Sequence, residues 1–239
     1  MKGKKRGVEL QTRDYVLFRY LHAVKIATYD QIARDVYPEY SLASVGNRIR
    51  KLEDNKLIGS SCHRLLFHGK RTVFLLKSSF DAFVKTGEEY RIELRSDAPQ
   101  HDLILVDIRS RFLQSKKTLK YQTENEIQTW NSEFRPINCD GLLTTQLGPA
   151  AVFIPIEYEG SMKKEERYEP LVKKYYQNEA FQLVAFVAEN TQILQKVMNI
   201  EKEIFNWEKP KFFYRLMQDF LADEALRLEN CHQVPLRLG

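Results

Sequence analysis

NCDGLLTTQLGPAAVFIPIEYE, residues 138–159, reads as two apolar strands joined by a turn at Gly148-Pro149. Asp140 opens the first strand; Glu157 and Glu159 close the second. Side chains alternate along a strand, so Glu157 and Glu159 share one face. Folding the two strands against each other carries Asp140 toward Glu157. Carboxylates converging from adjacent strands are what a hard divalent cation needs. The plainer alternative is a hairpin with charged, solvated ends, and the neighbouring segments decide between them.

Upstream, HDLILVDIRSRFLQ (101–114) spaces Leu103, Val106, Ile108, Phe112 and Leu113 as the stripe of a helix. TLKYQTE (118–124) follows as a strand ending in acidic residues, Glu124 and then Glu126. Downstream, residues 161–177 are helical, with Pro170 starting or kinking the helix. FQLVAFVA (181–188) has the continuous apolar character of a strand buried on both faces. A helix near Gln192–Ile200 and a long amphipathic helix near Phe212–Leu228 complete the chain. Helix, strands, helix, strand, helix predicts an α/β domain with a mixed sheet over residues 100–239.

The front of the chain has a different grammar. QTRDYVLFRYLHA (11–23) has helical spacing; Thr28 caps TYDQIARDVY, which Pro38 follows; Ser41 caps LASVGNRIRKLEDNKL. In that third helix Leu42, Val45, Ile49 and Leu52 fall on one face, and Ser44, Asn47, Arg50 and Lys51 point the other way. Two β-prone runs then flank His68-Gly69-Lys70-Arg71, a hairpin with a basic tip. Three short helices and such a hairpin are the winged helix-turn-helix pattern. Its outward residues Ser44, Asn47, Arg48, Arg50 and Lys51, with Lys70 and Arg71 on the wing, are the expected contacts to double-stranded DNA. A winged helix that binds protein instead is the structural alternative. Residues 78–86 close this domain as a helix, which gives a winged-helix domain over residues 1–86 and a polar, Pro99-containing linker over residues 87–99.

Charge supports the assignment. Residues 1–99 hold 19 Lys+Arg against 12 Asp+Glu, whereas residues 100–239 hold 18 against 20. A basic front half suits a polyanionic partner. Three cysteines without a CxxC, no membrane-length apolar run and no secretory leader predict a reduced, cytoplasmic protein. Cys62, His63 and His68 fit no zinc spacing. Nucleotide-binding glycine loops and the GxSxG elbow are absent.

Within this frame, Asp140 and Glu157 on neighbouring strands resemble the PD-(D/E)xK nuclease core. SVGNRIRKLEDNKLI resembles the recognition helix of bacterial winged-helix regulators. The order of HDLILVDIR, TENE, FRPINCDGL and AVFIPIEYEGSMKKEERYEPLVKKYY behind a winged helix resembles the replication-relaxation family of plasmid and mobile-element proteins, from about Leu10 to Ala188. The resemblance implies an α+β and α/β protein, a winged helix-turn-helix followed by a restriction-endonuclease-like mixed sheet. It also implies a role in plasmid or mobile-element replication or its regulation.

Three departures weigh against catalysis. Glu159 stands where the nuclease motif carries lysine, so Lys163, Lys164 or Lys173 would have to supply that charge. Asn138-Cys139 precede Asp140 in place of the motif's proline. Pro155 interrupts the second strand, which therefore has to be an edge or bulged strand. The expected protein is a sequence-preferring DNA-binding regulator with a degenerate nuclease-like domain, without cofactor, and self-associating, if at all, through its C-terminal helix. The first alternative is a Mg²⁺-dependent DNA endonuclease, with Asp140 and Glu157 on the metal and Glu159, Glu124 and Lys163 beside them. The second is a non-catalytic protein-interaction adaptor.

Overall fold

Capping side chains set the first elements. Helix α1 (Thr12–Val24) leads into the two-residue strand β1 (Ala27–Thr28) and then α2 (Tyr29–Val36). The Thr28 hydroxyl accepts from the Gln31 N–H at 3.2 Å while the Gln31 side chain accepts from the Thr28 N–H at 3.0 Å, so two orphan donors are satisfied reciprocally. Ser41 caps α3 (Leu42–Asp54) by accepting from the Ser44 N–H at 3.3 Å. Strands β2 (Ile58–Cys62) and β3 (Arg71–Leu75) and helix α4 (Lys77–Phe83) follow. The three strands form an antiparallel sheet in the order β1-β3-β2, with Val73 opposite both Ala27 and Ser60. Leu17, Phe18 and Leu21 of α1, Ile32 of α2, and Val45, Ile49 and Leu52 of α3 meet Ile58, Val73, Leu75 and Phe80 in one buried core.

The computed structural model describes residues 8–62, 71–130, 133–205 and 209–239, and the chain divides into two units. One is Met1–Val106 with Asn125–Glu133; the other is Asp107–Glu124 with Phe134–Gly239. Residues 87–99, read as a linker, fall within the first unit. Within 87–99, Tyr90 donates its N–H to the Thr129 carbonyl at 2.7 Å, and Ile92 and Leu94 pack on the first core. The division falls inside α5 (Pro99–Leu113), where Val106 is buried in the first core and Phe112 stacks on Tyr121 in the second unit.

The second unit is built on a seven-stranded mixed sheet in the order β10-β9-β8-β7-β6-β5-β4. Strands β4 (Thr118–Thr123), β5 (Gly141–Leu147) and β6 (Ala150–Glu159) run antiparallel; β6, β7 (Val184–Ala188) and β8 (Phe212–Leu216) run parallel; β9 (Arg227–Glu229) and β10 (Pro235–Arg237) return antiparallel. The parallel pairs need crossovers, supplied by α7 (Glu165–Gln177) and α8 (Thr191–Phe205). The sheet curls. The Ser115 hydroxyl donates to the Leu238 carbonyl and the Lys117 ammonium to the Arg237 carbonyl at 3.2 Å, so the entry to β4 meets the strand at the opposite edge.

Three expectations fail here for identifiable reasons. The long helix near Phe212–Leu228 is a strand, a single short helix α9 (Met217–Ala222) and a second strand. Phe212, Phe213 and Tyr214 are buried in consecutive positions beside β7, and that central slot overrides their helical spacing. Glu124 and Glu126 do not end a strand; they lie on α6 (Glu124–Thr129). Pro155 lies in a strand that is neither at the sheet edge nor bulged. It pairs with Leu142 in unbroken register, but β7 joins the other side of β6 only from Ile156 onward, so a residue without an N–H is tolerated. Among the described residues no helix is long and apolar enough to cross a membrane.

Candidate functional site

The outward face of α3 follows from its buried one. With Val45, Ile49 and Leu52 in the core, Ser44, Asn47, Arg50 and Lys51 stand exposed. Among the described residues the side chains of Asn47 and Lys51 make no hydrogen bond or ion pair. Ser44 shares a hydrogen bond with the Ser41 hydroxyl, and Arg50 reaches back to the Gly46 carbonyl at 3.4 Å. Asn47 and Lys51 lie on successive turns of this exposed face.

Arg48 is corrected. Its guanidinium forks onto the carboxylate of Asp14, which is fully buried, and also donates to the Glu9 carbonyl at 2.8 Å. Only 14 % of the Arg48 side chain is exposed. Arg71 begins β3 and makes a two-pronged contact with Glu53, at 2.8 and 2.9 Å, while its Nε donates to Ser60 at 2.8 Å. These two arginines clamp α3, Arg48 to α1 and Arg71 to the sheet. Lys70, His63 and His68 lie outside the described residues.

In the second unit the register places Asp140 opposite Glu157, one step beyond the Gly141–Ile156 pair. A Cβ at position 141 would run into the Tyr121 hydroxyl, so a larger residue there requires the Tyr121 ring to shift. One Asp140 oxygen accepts from the Tyr158 N–H at 2.7 Å. Glu157 is buried, and its Oε1 accepts from the Tyr175 hydroxyl and from the Lys174 ammonium at 3.3 Å. Burial pushes its carboxyl upward, an effect that Lys174 and the Tyr175 hydroxyl partly offset. Burial likewise raises the Cys139 thiol, with Glu157 and Asp140 adding to it, so this cysteine is no nucleophile. Glu159 is buried and forms an ion pair with Lys163 at 2.6 Å. Glu124 reaches the cluster through its backbone, whose N–H donates to the Asp140 carbonyl at 3.1 Å.

Asp140 and Glu157 thus come together as the sequence predicts, and Lys163 joins Glu159. A divalent cation does not fit these residues. Glu157 Oε1 already holds two donors, Lys174 supplies the neutralising charge, and among the described residues no three His, Cys, Asp or Glu side chains converge as a ligand set. Lys174 was not among the lysines expected: Lys173 pairs instead with Glu169, and Lys164 precedes α7 as its cap residue.

Two further buried polar groups escaped the sequence. Asp14 carried a signal, because it lies three and four residues before Leu17 and Phe18 on the buried stripe of α1, where a carboxylate demands a partner. His22 carried none. It is buried between Phe80 and Trp130, its Nδ1 lies 3.2 Å from the Asn125 amide, and burial lowers its pKa to about 4, against a small opposing pull from Glu89. No family model, curated protein or solved structure matches the chain.

Proposed function

We propose that the protein is a sequence-preferring double-stranded DNA-binding regulator of transcription or of plasmid or mobile-element replication, in which the first unit acts as a winged helix-turn-helix. On this reading α3 enters the major groove. Asn47 has the amide geometry to pair with an adenine edge, Lys51 and Arg50 address guanine or phosphate, and Ser44 contacts the backbone. The β2–β3 hairpin is the wing. The observation that carries this is the α3 face itself: exposed Asn47 and Lys51 on a helix whose other side is locked by Val45, Ile49, Leu52 and the Arg48–Asp14 pair. A helix packed in place does not have to be ordered on binding, which is what a recognition helix needs.

The second unit is read as nuclease-like in its strand order and non-catalytic in its chemistry. A helix, three antiparallel strands, a helix and a parallel strand, α5 through β7, support the first half. The engaged state of Glu157 and Glu159 supports the second. Incubating the protein with supercoiled plasmid and with a labelled duplex pool, with and without Mg²⁺ or Mn²⁺, tests both. Retardation and enrichment of particular duplexes without cleavage is expected. Metal-dependent nicking that Asp140→Ala abolishes would promote the endonuclease alternative, and absence of any retardation would favour the protein-interaction adaptor.

A further inference from the structure

Arg13, on the first turn of α1, is a cation that the fold positions without pairing. Its guanidinium lies 4.4 Å from the centre of the Tyr40 ring and 5.9 Å from that of Tyr37, and these two rings stand nearly perpendicular at 6.1 Å. The adjacent carboxylate, Asp14, is taken by Arg48. Among the described residues Arg13 makes no hydrogen bond or ion pair, and its Nε is buried without a partner. The Tyr40 hydroxyl has no partner there either, and the residue is 48 % exposed. Tyr40 directly precedes Ser41, the cap of α3, so the pair flanks the N-terminal end of the helix that carries Ser44, Asn47 and Lys51.

We propose that Arg13, braced by Tyr40, holds a phosphate of the DNA backbone at the N-terminal end of α3, and so fixes where Asn47 and Lys51 come to rest along the groove. The inference rests on the DNA-binding reading above and adds to it a contact from α1, outside α3 and the wing. A guanidinium carries its N–H donors in a flat fork, and here none of them is answered within the described residues. The fork matches two oxygens of one phosphate, and a tyrosine hydroxyl on the bracing ring supplies a further donor. Stacking on the ring fixes the guanidinium before the duplex arrives, so less side-chain freedom is lost in the contact. Contacts of this kind place a protein on the duplex without reading its sequence.

The test titrates labelled random-sequence duplex with the full chain at a series of salt concentrations, beside urea unfolding of each variant. Arg13→Gln and Arg13→Met, which keeps the stem against the rings, should unfold like the parent. Both should bind about tenfold more weakly at low salt, and flatten the slope of log K against log salt by about one unit. Arg13→Lys should restore the slope but not the whole affinity, because an ammonium lacks the fork. Tyr40→Leu should keep the slope and lose about threefold in affinity with the brace. A folded Arg13→Gln or Arg13→Met that keeps the parent slope, while Lys51→Ala flattens it, would overturn the proposal and leave the DNA-binding reading standing. So would a loss of stability without a change of slope, or failure of both neutral variants to fold, since Arg13 would then be a strut for the turn before α3. A parent that retards no duplex even at low salt would sink the proposal together with the reading beneath it.

Discussion

On α3, Asn47 and Lys51 stand in water with no protein partner among the described residues, while Arg48 of the same helix is tied down at Asp14 and Arg71 of β3 at Glu53. On β6, Glu157 and Glu159 are buried and each is closed by its own lysine. Both regions carry the residue types of a functional site, but they differ in what those residues have left to give. A hydrogen-bonding group already satisfied inside the protein must break that contact before it serves a ligand, and a buried charge loses most by doing so. A charged residue that the fold leaves uncommitted is available to a ligand, whereas one the fold has already answered marks architecture.

The largest expected effect separates two neighbours on α3. Arg48→Ala strands the fully buried Asp14 carboxylate and should destabilise the first unit by about 3–5 kcal/mol in urea unfolding. Asn47→Ala, one residue away, should stay within about 0.5 kcal/mol. If Arg48→Ala unfolds like the parent and loses only DNA affinity, the clamp is wrong and Arg48 belongs to the interface.

Acid should separate the two units. His22 has a folded pKa of about 4 against an ordinary 6.5, so between those values the unfolded chain binds more protons and stability falls as the pH falls. The loss approaches about 3 kcal/mol by pH 4. Glu157 runs the other way: its carboxyl is raised by burial, so its contribution is fullest below the ordinary carboxylate range and is lost as the pH rises through the raised value. Because the His22 ring lies 4.9 Å from Trp130, Trp130 fluorescence in a Trp207→Phe background reports the first unit. A His22→Gln variant should flatten its acid response; an unchanged acid profile would remove His22 as the cause.

On DNA, Asn47→Ala and Lys51→Ala should each cost about 1–3 kcal/mol of affinity for a preferred duplex, with little change in stability. The smallest effect is expected in the second unit. Asp140→Ala should alter duplex affinity by less than about 0.5 kcal/mol. A large loss there would mean that the carboxylate cluster, rather than α3 alone, touches DNA.

Much of the first unit was legible in the sequence because its signals are local. Thr28 and Ser41 cap the helices they were expected to cap, and the spacing of Val45, Ile49 and Leu52 fixes which face of α3 is left outside. The strands of the 138–159 stretch, and the approach of Asp140 to Glu157, were legible for the same reason: a short turn sets the register. Partners distant in sequence were not. Arg48 finds Asp14 across 34 residues and Lys174 finds Glu157 across 17, and no periodicity announces either. The C-terminal strands were hidden by a true helical spacing at Phe212–Leu228 that lost to a place in the middle of a sheet.

DNA affinity as a function of salt tests the central claim most directly. Fluorescence anisotropy of a labelled duplex, titrated at a series of salt concentrations, gives the number of phosphates the protein neutralises. With Arg48 paired to Asp14 and Arg71 to Glu53, about four contacts remain to the other exposed cations of the first unit, and log K should fall with log salt at a slope of about −3 to −4. Lys51→Ala should flatten that slope by up to about one unit, whereas Glu157→Gln should leave it unchanged. Duplex affinity that does not weaken as salt rises, or a slope that Glu157→Gln alters and Lys51→Ala does not, would contradict an interface on α3.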